Sequence, residues 1–348
     1  MSLLSVCSLK RKRDKKKAGL FSAGGFSMIE LMISAAIFIV VVLAIFRLLE
    51  SSRDARFTTG ERSSLIRAAR TSIDTMGHDI VNSGVGYPNA GSTIPSGLLS
   101  GIVGQTYTDG DANFDWVTPI IAGDNVNAVN GVNTDQITVI FLDSTFNNGS
   151  ALSISSATTG SSWLTINTAQ SSNNSVCTAG DLFIVTGSNS SALGWLTGTN
   201  STDKLVFGNT DPLNINQPSA SNGTLQAINY PASLMKVKWI RYFVASDGTL
   251  FRREYGAPST RIGGGATTTA TGYLDSPIAD NVKDLQIKYT LLDNTVVTNP
   301  TSAQYVQIRQ VTVTITINGP NIDSRSNTRE TISLAGTFDS RNLGYVER

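Results

Sequence analysis

The chain has 348 residues, 40% of them apolar and 15% charged, with a formal net charge of +1. That composition supports a buried core and leaves room for a membrane element beside one large or two small domains. Few charges and abundant Ser, Thr, Asn and Gly argue against a nucleic-acid binder and fit a loop-rich β protein outside the cytoplasm.

The near-neutral total conceals an asymmetry. Residues 1–25 carry seven bases (Lys10, Arg11, Lys12, Arg13, Lys15, Lys16, Lys17) and one acid, Asp14. Taking these from the 27 bases and 26 acids leaves 20 bases and 25 acids, a net −5 for the remainder. The basic block stands directly before an apolar span. That position makes it a cytoplasmic topology signal rather than a solvated charge run or a nucleic-acid patch.

From Phe26 to Phe46 the chain reads FSMIELMISAAIFIVVVLAIF, 21 residues with one charge, Glu30. As a helix this run rises ~31 Å, enough to cross the hydrocarbon core of a bilayer. The flank beyond it is mixed (Arg47, Glu50, Arg53, Asp54, Arg56), so the N-terminus is assigned to the cytoplasm. An ordinary secretory signal places its small residues after the apolar core. Here Ala23-Gly24-Gly25 come before it. A plain anchor gives no reason for Glu30, because a carboxylate inside a membrane costs at least a few kcal/mol and is usually functional.

A basic leader, Gly25, Phe26 and then Glu30 within an apolar run resemble the class III signal of type IV prepilins and type II secretion pseudopilins. The resemblance implies cleavage between Gly25 and Phe26 by prepilin peptidase and N-methylation of Phe26. It also implies that Glu30 serves subunit assembly by neutralising the N-terminal amine of a neighbouring pilin, where such a pair is weakly screened. The implied partners are other major and minor pilins, the peptidase and the inner-membrane assembly platform. The implied location is the inner membrane, with the N-terminus cytoplasmic and the head outside, and then the pilus at the cell surface.

After the span, polarity rises while helical spacing persists. Ile66, Ala69, Ile73, Met76 and Ile80 step by three or four residues and predict one apolar helix face, with Arg62, Arg67, Arg70 and Asp74 off it. Gly84, Gly86 and Pro88 end the pattern. One spine helix is therefore expected over about residues 26–83, membrane-spanning over 26–46, its stripe resting on the chain's own β domain. Gly60 is its weak point, costing ~1 kcal/mol relative to Ala.

Residues 84–348 read as an extracytoplasmic β-rich head. Short β-branched runs alternate with Gly, Asn, Asp and Pro turns: Gln136–Leu142, Asp181–Thr186, Lys204–Phe207, Lys236–Val244, Thr249–Tyr255, Val282–Leu291, Tyr305–Ile317 and Arg329–Phe338. Ser246-Asp247-Gly248 predicts a hairpin turn, and the alternation of the Tyr305–Ile317 run breaks near Arg309-Gln310, as at a bulge. Ser144–Ser162, Ala169–Ser175 and Gly263–Thr271 read as surface loops. A soft divide between two β lobes is placed near residues 216–231.

Several head motifs extend the resemblance to the PilW family of minor pilins. They are Asn133-Thr134-Asp135 before a strand, Gly180-Asp181 opening one, and Ala279–Tyr289 ahead of the long terminal strands. The Arg241-Tyr242-Phe243 and Gly248-Thr249-Leu250-Phe251-Arg252-Arg253 hairpin belongs with them. The type II secretion pseudopilin GspJ shares much of this layout. The implied fold class is α+β, pilin-like, with a long N-terminal helix packed on a large, mainly antiparallel β head. One departure stands out: many pilins close a C-terminal loop with a disulfide. With Cys7 in the leader, Cys177 is left alone, as a small buried apolar residue.

No motif points to catalysis. His78, the single histidine, builds neither a metal site nor a Ser-His-Asp triad. Asp109, Asp111, Asn113 and Asp115 have the alternation of a calcium loop. The run lacks the later turn glycine and has Ile120 where the bidentate Glu belongs, so it reads as an exposed Asp/Asn loop. Ile262–Gly265 lacks the strand, helix and lysine of a phosphate loop. No catalytic, cofactor-binding or metal residue is assigned, no cofactor is expected, and nucleic acid is not an expected partner because the mature chain is acidic. The expected role is structural: a minor pilin in a filament or its initiating tip complex. The alternatives are a GspJ-like pseudopilin of a secretion system and a tip adhesin or DNA-uptake subunit.

Overall fold

A computed structural model describes residues 25–157, 162–167, 170, 176–201, 203–216, 224–225, 227–256, 272–322 and 328–341, the side chains of residues 54, 55, 57 and 58 excepted. The chain divides into two compact units, Met1–Thr59 and Gly60–Arg348. Helix α1 (Met28–Asn82) begins in the first and ends in the second. It contains no proline, and Gly60 and Gly77 are its two glycines. The chain therefore stays helical through the change from apolar to mixed sequence.

From Met28 to Phe46 α1 is apolar all round apart from Glu30, and nearly all its large side chains are exposed among the described residues. Phe26, Met28, Ile29, Leu31, Phe38, Val40 and Phe46 are all exposed. Met28–Arg53 is, among the described residues, the one helix long and apolar enough to cross a membrane. A helix hydrophobic on every face needs an apolar surround, either lipid or other helices.

The second unit carries the sheet strands. In chain order these are β1 (Ser92–Pro95), α2 (Leu99–Val103), β2 (Phe114–Val117), β3 (Ile120–Val129), β4 (Val132–Leu142), a 3-10 turn at Phe146–Gly149, β5 (Leu152–Ala157), β6 (Trp163–Ile166) and β7 (Leu182–Thr186). Then come β8 (Ser191–Trp195), β9 (Gly198–Ser201), β10 (Lys204–Val206), β11 (Ala232–Val244), β12 (Leu250–Tyr255) and β13 (Tyr273–Ala279). The chain closes with β14 (Val282–Leu291), β15 (Val296–Val297), α3 (Ser302–Tyr305), β16 (Ile308–Ile322) and β17 (Arg329–Asp339). One sheet has thirteen strands and the other has four, ordered β15-β14-β16-β17. Among the described residues every pairing is antiparallel except that of β1 with β8. The class is thus α+β, with one long N-terminal helix and a large, mostly antiparallel β body.

Strand β11 organises the larger sheet. Its first residues pair with β5 and β7, ending at Lys236 opposite Phe183. From Val237, opposite Leu142, it pairs with β4, and from Trp239 also with β12. One strand thus belongs to two patches of sheet, and two apolar cores form around it. The first holds Ile73, Met76, Ile80, Ile140, Trp239, Leu285 and Val313. The second holds Phe146, Leu152, Phe183, Val185, Leu205 and Leu234. Strand β7 separates them: Leu182 and Ile184 face the first, Phe183 and Val185 the second. A strand apolar on both faces reads as an unbroken run, as LFIV does. Of residues 216–231, expected as a divide, Leu225 and Ile228 lie in the second core, and 217–223 and 226 fall outside the described residues.

The helix face predicted from residues 66–80 is present with one shift. Leu65, Ala69, Ile73, Met76 and Ile80 are buried in the first core, whereas Ile66 is half-buried. Leu65 lies four residues before Ala69 and so takes the place on the stripe. The face rests on β17. An added Cβ at Gly336 would lie 2.5 Å from Ile73, and one at Gly77 would overlap the ring of Phe338. The two glycines let helix and strand approach closely at staggered points.

Two local expectations need correction. Ser144–Ser162 is not wholly loop, because β5 forms inside it, with Leu152 and Ile154 buried two residues apart. Tyr305 lies in α3 rather than at the head of the long strand, which starts at Ile308. The predicted bulge is present: Thr290 pairs with Gln310 and Leu291 with Ile308, leaving Arg309 as the extra residue.

Candidate functional site

The residues singled out near the N-terminus lie at the start of α1. Gly25, Phe26 and Ser27 are outside the helix, and an added Cβ at Gly25 meets nothing within 4 Å. The Ser27 carbonyl accepts from the N–H groups of Glu30 (2.9 Å) and Leu31 (3.1 Å), which opens the first turn. Gly25 and Phe26 therefore lie in exposed, non-helical chain. Glu30 is in the first turn, where a carboxylate is favoured by the helix dipole, and it is exposed. One turn later the Ser34 hydroxyl donates back to the Glu30 backbone carbonyl at 2.7 Å.

In the head, the motifs singled out in the sequence turn out to be buried polar cross-links. Tyr242 and Arg252 stand directly opposite each other on β11 and β12. Both aim at the same helix residue. The Tyr242 hydroxyl donates to Asp79 Oδ2 at 2.5 Å, and Arg252 Nε donates to the same oxygen at 2.8 Å. Arg252 Nη1 also donates to Glu254 Oε2 at 3.0 Å. Burial works against the charge on Arg252, but the nearby Asp79 carboxylate outweighs it and raises the guanidinium pKa. Burial, with Asp79 adding to it, pushes the Tyr242 hydroxyl well above its ordinary range. The buried ion pair fixes α1 on the β11–β12 hairpin.

The opposite face of the same hairpin is also cross-linked. Buried Arg241 donates from Nε to Gln136 Oε1 at 2.9 Å, and Gln136 Nε2 donates onward to the Val103 carbonyl at 2.7 Å. Arg253 holds Asp275 through two bonds of 2.7 Å and lies 3.6 Å over the ring of Tyr273. Asn133-Thr134-Asp135, expected before a strand, lies inside β4, and Asp135 is buried. Its two oxygens accept from Asn125 N–H (2.9 Å) on β3 and Ile287 N–H (2.7 Å) on β14, tying the two sheets together. Burial raises its pKa despite these bonds. Asp181, after Gly180, pairs with Lys236 at 2.8 Å at the point where β11 passes between cores.

The carboxylates of Asp109, Asp111 and Asp115 accept from nearby backbone N–H groups and one indole. Asp109 accepts from Asp111 N–H and Trp116 N–H, Asp111 from Asn113 N–H and the Trp116 indole, and Asp115 from Gly97 N–H and Leu99 N–H. Asp115, expected in an exposed loop, is instead buried in β2 and holds the backbone of residues 97–99, so the three carboxylates serve separate backbone segments. Among the described residues, no group of three or more His, Cys, Asp or Glu side chains is placed to hold a metal. Ile262–Gly265 lies outside the described residues. A groove of about 560 Å³ runs beside α1, lined by Asp74, His78, Phe141, Lys238 and Arg252 among others. Its buried charges are already matched within the chain, Arg252 by Asp79 and Lys238 by Asp143 at 3.6 Å.

Sequence reasoning did not single out Asp79, Gln136 or Asp135 as partners of anything. Asp79 had one available signal: it lies within the helical stripe between Met76 and Ile80, where an unpaired carboxylate would be costly. Comparison of the sequence with protein-family models and with curated proteins finds no match.

Proposed function

We propose that this chain is a PilW-type minor pilin, made as a prepilin, cut after Gly25 and assembled through its apolar N-terminal helix into a type IV pilus or the complex that starts one. The observation that carries the reading is the placement of Glu30. It is the one charge in the apolar run Phe26–Phe46, which no described residue covers, and it stands four residues after Phe26 and behind a basic leader. A lipid-anchored monomer has no use for that carboxylate. A neighbour's freed N-terminal amine supplies its use. The head contributes the partner surface, with its assignment to the PilW family resting on the hairpin and turn motifs.

The test is the mature N-terminus, read by mass spectrometry of the membrane fraction of a host that has prepilin peptidase. Phe26 is expected first, N-methylated. A mature chain beginning beyond Phe46, or one retaining Met1, overturns the reading. A GspJ-like pseudopilin would share this processing. Genes for secretion components next to this one, rather than for other minor pilins, would favour it.

A further inference from the structure

A sheet edge offers an unpaired row of N–H and C=O groups, and proteins normally guard such edges with short strands, proline, bulges or charge. The described edges of this head are nearly all guarded. Strands β2 and β9 have four residues each and β15 has two. Strand β3 breaks register between Gly123 and Asn127. Strand β13 contains Pro277 and borders a register shift at Leu250.

Strand β17 is the exception. It has eleven residues and, among the described residues, pairs only with β16. From Thr331 opposite Asn318 to Asp339 opposite Gln310 its register is unbroken. This stretch, TISLAGTFD, has no proline and no charge before Asp339. The direction of its backbone groups follows from one bond. Ser340 N–H donates to the Arg309 carbonyl, which makes residues 340, 338, 336, 334 and 332 the ones bonded to β16. The N–H and C=O groups of Thr331, Ser333, Ala335, Thr337 and Asp339 therefore face away from the sheet.

The side chains define what would fit there. Ile332, Leu334 and Phe338 lie on the face covered by α1. On the other face hydroxyls form cross-strand pairs: Thr312 with Thr337 (3.0 Å), Thr316 with Ser333 (3.2 Å) and Asn318 with Thr331 (3.0 Å). Charge marks the two ends, Arg329 and Asp339.

We propose that β17 is an acceptor edge, completed by an extended segment of another protein that adds as an antiparallel strand. That segment alternates apolar residues, toward α1, with Thr, Ser or Asn, toward the hydroxyl face, and has a basic residue at its N-terminal end to meet Asp339. Backbone bonds supply the affinity and the alternation supplies the selectivity. A second copy of this chain is a poor occupant. Its own β17 would have to lie antiparallel, and α1 runs alongside β17 in the same direction, from Arg62 near Glu330 (3.9 Å) to Val81, whose carbonyl accepts from Arg341 N–H. The two α1 helices would then point in opposite directions, which chains anchored in one membrane cannot do.

The probe is a synthetic peptide with the sequence of residues 309–318, RQVTVTITIN, which has the required alternation and a leading arginine. Full-length protein in detergent is followed by amide exchange. Ser333, Ala335 and Thr337 amides should exchange quickly alone and about tenfold or more slowly with the peptide, a protection set by site occupancy. A peptide of the same composition with the alternation scrambled should give no protection. Ala335→Pro removes an outward N–H that β16 does not use, so it should keep the fold and lose the protection. The proposal is overturned if these amides are protected without peptide or remain unprotected with it. It is equally overturned if Ala335→Pro is protected like the wild type, or if the chain dimerises through this edge by itself. None of these readouts involves processing or assembly, so failure here leaves the pilin reading where it stands.

Discussion

Asp79 on α1 and Arg252 on β12 meet at 2.8 Å, and Tyr242 donates to the same carboxylate oxygen. The pair is largely buried, with side-chain exposures of 7% for Asp79 and 22% for Arg252. Removing one member of such a pair strands the other, at a cost of about 3–5 kcal/mol. Glu254 still accepts from Arg252, so Asp79→Ala is expected near the lower end, about 3 kcal/mol, in urea unfolding of the full chain. His78 is its neighbour in sequence but is exposed, and His78→Ala should change stability by less than about 0.5 kcal/mol. Equal effects of the two variants would mean that Asp79 does not anchor the helix.

The two helix glycines should respond with opposite signs. An added Cβ at Gly60 meets nothing within 4 Å, so Gly60→Ala should stabilise by about 0.5–1 kcal/mol through helix propensity alone. At Gly77 the same atom overlaps Phe338, so Gly77→Ala should destabilise by about 1–3 kcal/mol. Thermal melts of the two variants against wild type decide the matter, and a gain in Tm for Gly77→Ala would contradict the close approach to β17.

Cys177 is buried in the second core, and burial pushes its thiol up to about 12. At pH 8 only on the order of one thiol in ten thousand is then ionised, and the thiolate is the reactive form. Alkylation of the folded mature chain should be slow at pH 8 and complete on unfolding, with one thiol per chain and no change after reduction. Rapid labelling of the native protein would place Cys177 at the surface.

Truncation separates the two roles of α1. Deleting residues 1–53 removes the membrane-crossing run and keeps Leu65, Ala69, Ile73, Met76 and Ile80, so a soluble β-rich product is expected. Deleting through Ser83 uncovers the first core and leaves Arg252 without Asp79, and aggregation is expected. Sedimentation of both products compares them directly; equal solubility would show that the stripe is not part of the core.

Glu30 tests the proposed role most directly. Glu30→Leu should insert into membranes as well as wild type or better, because a charge leaves the apolar run. Recovery in sheared filaments, or crosslinking to other pilins, should fall sharply, and Glu30→Asp should be intermediate. Gly25→Val should block processing. Among the described residues nothing lies within 4 Å of an added Cβ at Gly25, so the block would arise at the peptidase and not from misfolding. Normal incorporation of Glu30→Leu would remove the support for amine pairing.

The sequence by itself determined the features that depend on local periodicity. The apolar run, the end of α1 at Asn82, the strand Val282–Leu291 and the bulge at Arg309 are all legible because spacing of 3.6 or 2 residues and β-branched composition act within a few residues of the chain. Strand β5 was hidden because its two core residues, Leu152 and Ile154, lie in a serine-rich stretch whose composition signals loop. Only the tertiary structure decided which polar residues are joined. Asp79 and Arg252 are 173 positions apart, and Asp135 reaches Ile287 across 152. A single sequence carries no signal for such pairings, because each partner satisfies its charge or donor only once the sheets have come together and water is excluded. The same holds for the open edge of β17: its alternation marks it as a strand, but its being last in its sheet is a consequence of topology alone.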